Sequence, residues 1–168
     1  MNNLSFQNLK TENRLLLKKQ ISDLSTADRE AKSKKINIYL KQKLRDAKGP
    51  WGAFNSLPSE PVVQWSELNP RIQWYFVEVL NQSLVFKNDR HVVEAQALQG
   101  ICIPALGFNL NGARLGRGGG FYDRALIDYN GIKIGVCYDF AVSENSPFET
   151  HDIKVDVIVT DCRIVDAA

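Results

Sequence analysis

The residues with the most chemistry in them run from Arg114 to Asp123 and read Arg-Leu-Gly-Arg-Gly-Gly-Gly-Phe-Tyr-Asp. Glycine occupies Gly116, Gly118, Gly119 and Gly120, with Arg117 between the first two. Glycine permits backbone conformations that side chains forbid and lets amides approach a ligand closely. Successive amides at the start of a helix make an anion site. Arg114 and Arg117 add guanidinium groups that can grip phosphate oxygens in pairs. Asp123 stands just past the glycines, where it could ligate Mg2+ carried by those phosphates. No Gly-Lys-Ser/Thr follows, so the loop is not a Walker A motif. It does not open a first βαβ unit as a dinucleotide fingerprint would. The chemistry this loop predicts is binding of a phosphorylated ligand, a nucleotide foremost. The competing reading is a surface turn ahead of a helix.

The elements that must position this loop follow from periodicity. Residues from about Phe6 to Lys48 predict helix. Leu9, Leu16, Leu17 and Ile21 keep helical spacing, and Ser25-Thr26-Ala27-Asp28 has the form of a helix cap. The second helix is expected to turn Ala31, Ile36, Ile38, Tyr39 and Leu44 toward a core, and Gly49-Pro50 ends it. Lys10 and Arg14 lie four apart, on one helical face. Beyond Trp51, short runs rich in β-branched and aromatic residues predict strands at 51–54, 72–77, 83–86, 100–104, 132–137 and 155–160. A helix is expected from near Gly120 to about Tyr129. Strands alternating with helices argue a single α/β domain over 1–168. Its central sheet would be mixed but largely parallel and flanked by helices in three layers, with residues 1–48 as a helical segment packed on it.

Composition narrows the function classes. The chain has 168 residues, of which 44% are hydrophobic and 24% charged, as in ordinary globular proteins. A net charge of +2 gives no argument for a nucleic-acid or membrane partner. No apolar run approaches the roughly 20 residues of a membrane span. Cys102, Cys137 and Cys162 match no metal spacing and sit among apolar residues, so buried free thiols are expected. An odd cysteine count with no secretory leader points to the cytoplasm.

The string from Arg114 to Asp123 resembles the signature of the 5-formyltetrahydrofolate cyclo-ligase family. Ile103-Pro104-Ala105-Leu106-Gly107-Phe108 and the segment from Pro147 to Asp161 are similar to the family's flanking segments, and Lys10, Arg14 and Leu24-Ser25 to its N-terminal pattern. The resemblance implies a fold similar to sugar-phosphate isomerases and coenzyme A transferases. It implies ATP-dependent cyclisation of 5-formyltetrahydrofolate to 5,10-methenyltetrahydrofolate, through a phosphorylated formyl group, by a monomer using ATP and Mg2+. Lys10, Arg14, Arg114, Gly116, Arg117, Gly118, Gly119, Gly120, Phe121, Tyr122 and Asp123 would bind the nucleotide, and Asp123 with Asp156 would hold Mg2+. Arg117, Tyr122 and Glu60 would be catalytic. Phe54, Glu60 and Tyr122 would meet the folate, with Trp51 and Trp74 as further walls for its pterin ring. His151 would position the last loop. Glu78 stands where many members carry Arg or Lys. The alternatives are a relative that binds nucleotide or folate without turnover, and a sugar-phosphate or coenzyme A enzyme.

Overall fold

The computed structural model describes residues 3–149 and 152–167. His151 lies outside the described residues. Helix α1 covers Asn3–Ser22 and α2 covers Thr26–Lys43. Ser25 caps α2, its hydroxyl accepting the Asp28 amide at 3.1 Å. That satisfies one of the four donors a helix start leaves open. The core-facing stripe of α2 is Ile36 and Leu40, continued by Leu44, while Ala31 and Ile38 face solvent. On α1, Leu17 and Ile21 are buried, whereas Leu9 and Leu16 are exposed. The helical spacing was there, but only half of it faces the sheet.

After α2 come β1 (Gly49–Ala53), the single turn α3 (Trp65–Leu68), β2 (Ile72–Leu80), β3 (Ser83–Lys87), β4 (Val92–Val93) and β5 (Gly100–Pro104). Two short strands, β6 (Gly107–Phe108) and β7 (Arg114–Leu115), pair with each other. Helix α4 (Phe121–Ala125), β8 (Ile132–Val136), β9 (Val157–Val159) and β10 (Ile164–Asp166) complete the chain. One eight-stranded sheet has the order β10-β9-β8-β5-β1-β2-β3-β4. The run β9-β8-β5-β1-β2 is parallel throughout, and the pairs at both edges are antiparallel. This is the mixed, largely parallel α/β sheet that the alternating pattern predicts. Every residue of β5 is buried, as a central strand covered on both faces requires.

Three elements differ from expectation. Helix α4 stops at Ala125 instead of reaching Tyr129: the Leu126 amide makes a last i→i−4 bond to the Tyr122 carbonyl, and the Tyr129 amide then bonds the Leu126 carbonyl in a tighter turn. The Tyr129 hydroxyl then donates to the Leu98 carbonyl at 3.2 Å, which needs the chain turned back toward the sheet. Strand β9 begins at Val157, since the Val155 amide is given to Gly112 in the crossing loop. Cys102 and Cys137 are buried, but Cys162 is exposed in the turn that leads to β10.

Candidate active site

The glycine-rich loop separates two cavities. The larger, about 350 Å3, is mostly apolar, with Phe54, Leu57, Val77, Val79, Leu84 and Phe121 as walls and Glu60, Arg114, Arg117 and Tyr122 as its polar end. The smaller, about 190 Å3, is polar and lined by Gln7, Lys10, Arg14, Gly116, Gly118, Asp123, Glu149 and Asp152. Gly120 lines both. Phe54 follows the end of β1, and Pro104, another lining residue, ends β5. The cavities therefore sit at the carboxyl ends of the parallel strands, where open α/β sheets bind ligands.

The loop is held from outside rather than by a helix. Gly118 and Gly120 have φ of 106° and 63°, values that favour glycine. Helix α4 has only five residues, so its dipole is too short for the anion site expected at its start. Side chains supply the grip. Arg14 Nε donates to the Gly116 carbonyl at 2.9 Å, tying the loop to α1. Lys10, on the same helical face, reaches Glu149 Oε2 at 2.7 Å and Asp152 Oδ2 at 2.5 Å, and is 3% exposed. Asp123 Oδ1 accepts the Ile153 amide at 3.2 Å, which binds the loop to the segment carrying Asp152.

Arg114 is buried, with Nε donating to the Pro104 carbonyl at 3.0 Å and the guanidinium 4.8 Å above the Tyr122 ring. Burial pulls its pKa below the ordinary arginine value, against the pull of Tyr122, Asp123 and Glu60. Among the described residues no carboxylate forms an ion pair with it. A buried cation beside a cavity and short of a counter-ion is a place for an incoming anion. Burial likewise pushes the Tyr122 hydroxyl well above the usual phenol range, so it stays neutral. Among the described residues that hydroxyl has no hydrogen-bond partner.

Glu60 is buried. Its Oε1 accepts Arg117 Nε at 3.3 Å and Nη2 at 3.2 Å, and its Oε2 accepts the Leu57 amide at 3.0 Å. Arg117 Nη2 also donates to the Ser59 hydroxyl. The structure thus brings Phe54, Glu60, Arg114, Arg117, Phe121 and Tyr122 to one cavity. It brings Lys10, Arg14 and Asp123 to the other.

Asp156 joins neither. Its Oδ2 accepts the Lys133 amide at 2.7 Å, with Lys133 Nζ 3.6 Å away, and its side chain is 54% exposed. Lys133 lies near the start of β8, the opposite end of the parallel strands from the cavities. Asp123 and Asp156 therefore do not share an ion. Asp152 and Glu149 are the acids that face Asp123, and the sequence reading missed both. The signal was present, because Asp152 stands beside His151 in the segment from Pro147 to Asp161. Trp51 and Trp74 are packing residues. Trp51 is buried in the core, and Trp74 lies against Trp65 with ring centroids 4.8 Å apart.

Comparison with known proteins gives the geometry its context. The model of the 5-formyltetrahydrofolate cyclo-ligase family matches residues 54–161. The chain belongs to that family. The match takes in Glu60, the glycine-rich loop and Asp152, and starts after Lys10 and Arg14. A 5-formyltetrahydrofolate cyclo-ligase from Saccharomyces cerevisiae is 30% identical over 125 residues, covering 70% of this chain and 54% of the yeast protein. One from Escherichia coli is 35% identical over 78 residues, covering 45% of this chain and 43% of its own length. The chain thus spans about half the length of these relatives in the matched regions. Among solved structures, a 5,10-methenyltetrahydrofolate synthetase from Aquifex aeolicus is 26% identical, with a TM-score of 0.80 over 95% of this chain and 93% of that one. The synthetase from Mycoplasma pneumoniae, 23% identical, shares the fold with a TM-score of 0.81 over 90% of this chain and 98% of its own.

Proposed function

We propose that the chain is an ATP-dependent ligase that closes 5-formyltetrahydrofolate to 5,10-methenyltetrahydrofolate, releasing ADP and phosphate. The observation that carries this is the shared wall: Gly120 borders both an apolar cavity suited to a flat ring system and a polar one suited to phosphates. A two-substrate transfer needs its partners adjacent and oriented, which is worth a large part of the barrier. Family membership supplies the substrate class.

The composition of the polar cavity argues for a divalent cation. Among the described lining residues, three carboxylates, Asp123, Glu149 and Asp152, face two cations, Lys10 and Arg14, a formal charge of −1. A triphosphate would be repelled from that balance unless it arrived with a metal. Among the described residues no three His, Cys, Asp or Glu side chains enclose an ion by themselves. That suits Mg2+, which binds through one or two carboxylates and the substrate phosphates. Asp123 and Asp152 would hold it, and its contribution would be to offset charge on the β- and γ-oxygens.

The formyl group of the substrate is a poor electrophile with a poor leaving oxygen. ATP would supply a phosphoryl group to that oxygen, breaking the bond from the γ-phosphorus to the ADP oxygen. The N10 nitrogen then forms its bond to the formyl carbon as the carbon–oxygen bond to phosphate breaks, and the N10 proton passes to the Glu60 carboxylate. The chain's own residues have distinct parts in this. Arg114, whose guanidinium lies against Gly116, would meet the developing charge of the transferring group. Arg117 closes over the junction while Glu60 fixes its guanidinium and accepts hydrogen bonds on the N10 side. Tyr122 offers a neutral donor from a buried position. Phe54 and the β2–β3 residues exclude water from the ring. The same reading takes the chain as a single domain acting as a monomer in the cytoplasm; among the described residues no helix is long and apolar enough to cross a membrane.

The test mixes purified protein with 5-formyltetrahydrofolate and MgATP and follows the near-ultraviolet absorbance of the methenyl product alongside ADP. Product and ADP are expected in equal amounts. Product without ADP removes the nucleotide step, and no product removes the ligase reading.

A further inference from the structure

Resting on the folate reading, we propose that the cavity between the β2–β3 hairpin and α4 receives the carboxylate-bearing tail of the substrate, with Arg124 as its anchor. This third cavity, about 320 Å3, is lined by Gln82, Ser83, Leu84, Glu94, Phe121 and Arg124 among others. Leu84 and Phe121 also wall the apolar cavity, so the two spaces adjoin across those side chains. A ligand whose reacting end lies at Gly120 must extend away from it. One direction leads past Leu84 and Phe121, and another past the exposed Glu78 of β2, all of which line the apolar cavity.

Charge separates these routes. Glu78 already engages the nearest cation, Lys87, at 2.5 Å, so that rim offers a carboxylate no uncompensated positive group. Arg124 presents the opposite. Its guanidinium lies 5.2 Å over the Phe121 ring and spends one N–H on the Gly119 carbonyl at 3.1 Å. Among the described residues no acid forms an ion pair with it. Of the five N–H donors on a guanidinium, enough remain for a paired grip on one carboxylate. Glu94 adds one negative charge to this cavity without pairing with Arg124, and solvent and salt screen both exposed groups alike, so the anchor lies in the directed N–H donors. The aromatic face of Phe121 and the Leu84 side chain form an apolar step between the two cavities, suited to the benzoyl group that joins a pterin to its glutamate.

The test compares two substrates, 5-formyltetrahydrofolate and the analogue lacking its glutamate, in wild type, Arg124→Gln and Arg124→Lys. Arg124→Gln is expected to raise KM about tenfold for the full substrate only, with Arg124→Lys recovering part of the loss. Arg124 also holds the Gly119 carbonyl, and damage through that contact would penalise both substrates equally. An equal penalty on both, or none on either, overturns the proposal while leaving the ligase reading intact. If wild type turns over neither substrate, the folate reading falls and takes this proposal with it.

Discussion

One oxygen of the buried Glu60 carboxylate accepts two hydrogen bonds from Arg117, a residue 57 positions along the chain, at 3.2 and 3.3 Å. This pair bridges the loop after β1 and the glycine-rich loop, both of which line the apolar cavity. Replacing Arg117 with alanine is expected to lower kcat by about 10²–10³, the cost of removing one preorganised donor to a developing oxyanion. Glu60→Gln should cost less alone. The double variant should fall short of additivity by about 0.5–3 kcal/mol, as contacting residues do. Single-turnover kinetics on all four proteins measures this. Additive effects would mean that the pair does not act as a unit.

The acids facing Asp123 set a metal prediction. Asp123→Asn and Asp152→Asn should each raise the Mg2+ concentration needed for half-maximal MgATP binding by about tenfold or more, the scale of a lost charged ligand contact. Asp156→Asn should leave it where it is, because that carboxylate serves Lys133 at the other end of the strands. Calorimetry with MgATP alone decides this without reliance on turnover. A shift at Asp156 would reverse the assignment.

Stability should respond to pH through Lys32 and Asp161, paired at 2.6 Å between α2 and the turn after β9. Burial opposes ionisation of Asp161, yet the hydrogen bonds from Lys32 and the Asp139 amide outweigh it and hold its pKa below the ordinary 3.8. The unfolded chain therefore binds more protons in that range, and stability falls as pH drops below about 4 through the folded value. Lys32 is raised above its ordinary 10.5, chiefly by its bond to Asp161, so its share is complete below that pH and fades as pH climbs past it. Asp161→Asn should flatten the acid limb of a denaturation series and cost about 1–3 kcal/mol at neutral pH. An unchanged acid limb would place the proton elsewhere.

Gly118 combines a φ of 106° with open space around the position a Cβ would take. Alanine there meets no neighbour, so its effect is backbone strain alone, about 1–2 kcal/mol. Thermal unfolding should shift by a few degrees, and nucleotide affinity should fall with it as the loop relaxes. A melting point and affinity both equal to wild type would mean that the loop does not need this conformation.

Much of this architecture was legible because its causes are local. The apolar runs of β5 and β8 and the Ser25 cap read directly from residue type and spacing. The arginines and glycines of the loop named their own chemistry. What stayed hidden depends on pairing across the chain. Nothing near Asp156 shows that the Lys133 amide will claim it, and nothing near Asp152 shows that α1 will bring Lys10 to it across 142 positions. The length of α4 was misjudged because Tyr129 answers to the Leu98 carbonyl, a tertiary contact that overrides local helical preference. Ile38 lies two residues from both Ile36 and Leu40 and so points away from their face, and Leu16 adjoins the buried Leu17 but is itself exposed.

Pairing between β1 and β2 ends at Ala53 and Phe76, while β2 continues to Leu80 with β3 as its sole companion. The hairpin closes on Asn81 and Gln82, both at positive φ and neither a glycine. The inner surface that greets the ring of an incoming molecule is therefore a two-stranded ribbon, fastened to the sheet at its root and backed by α4 along β3. Its outer rungs should surrender their amide protons sooner than those next to β1, and any adjustment of the opening to differently sized guests will be made by that ribbon rather than by the sheet beneath it.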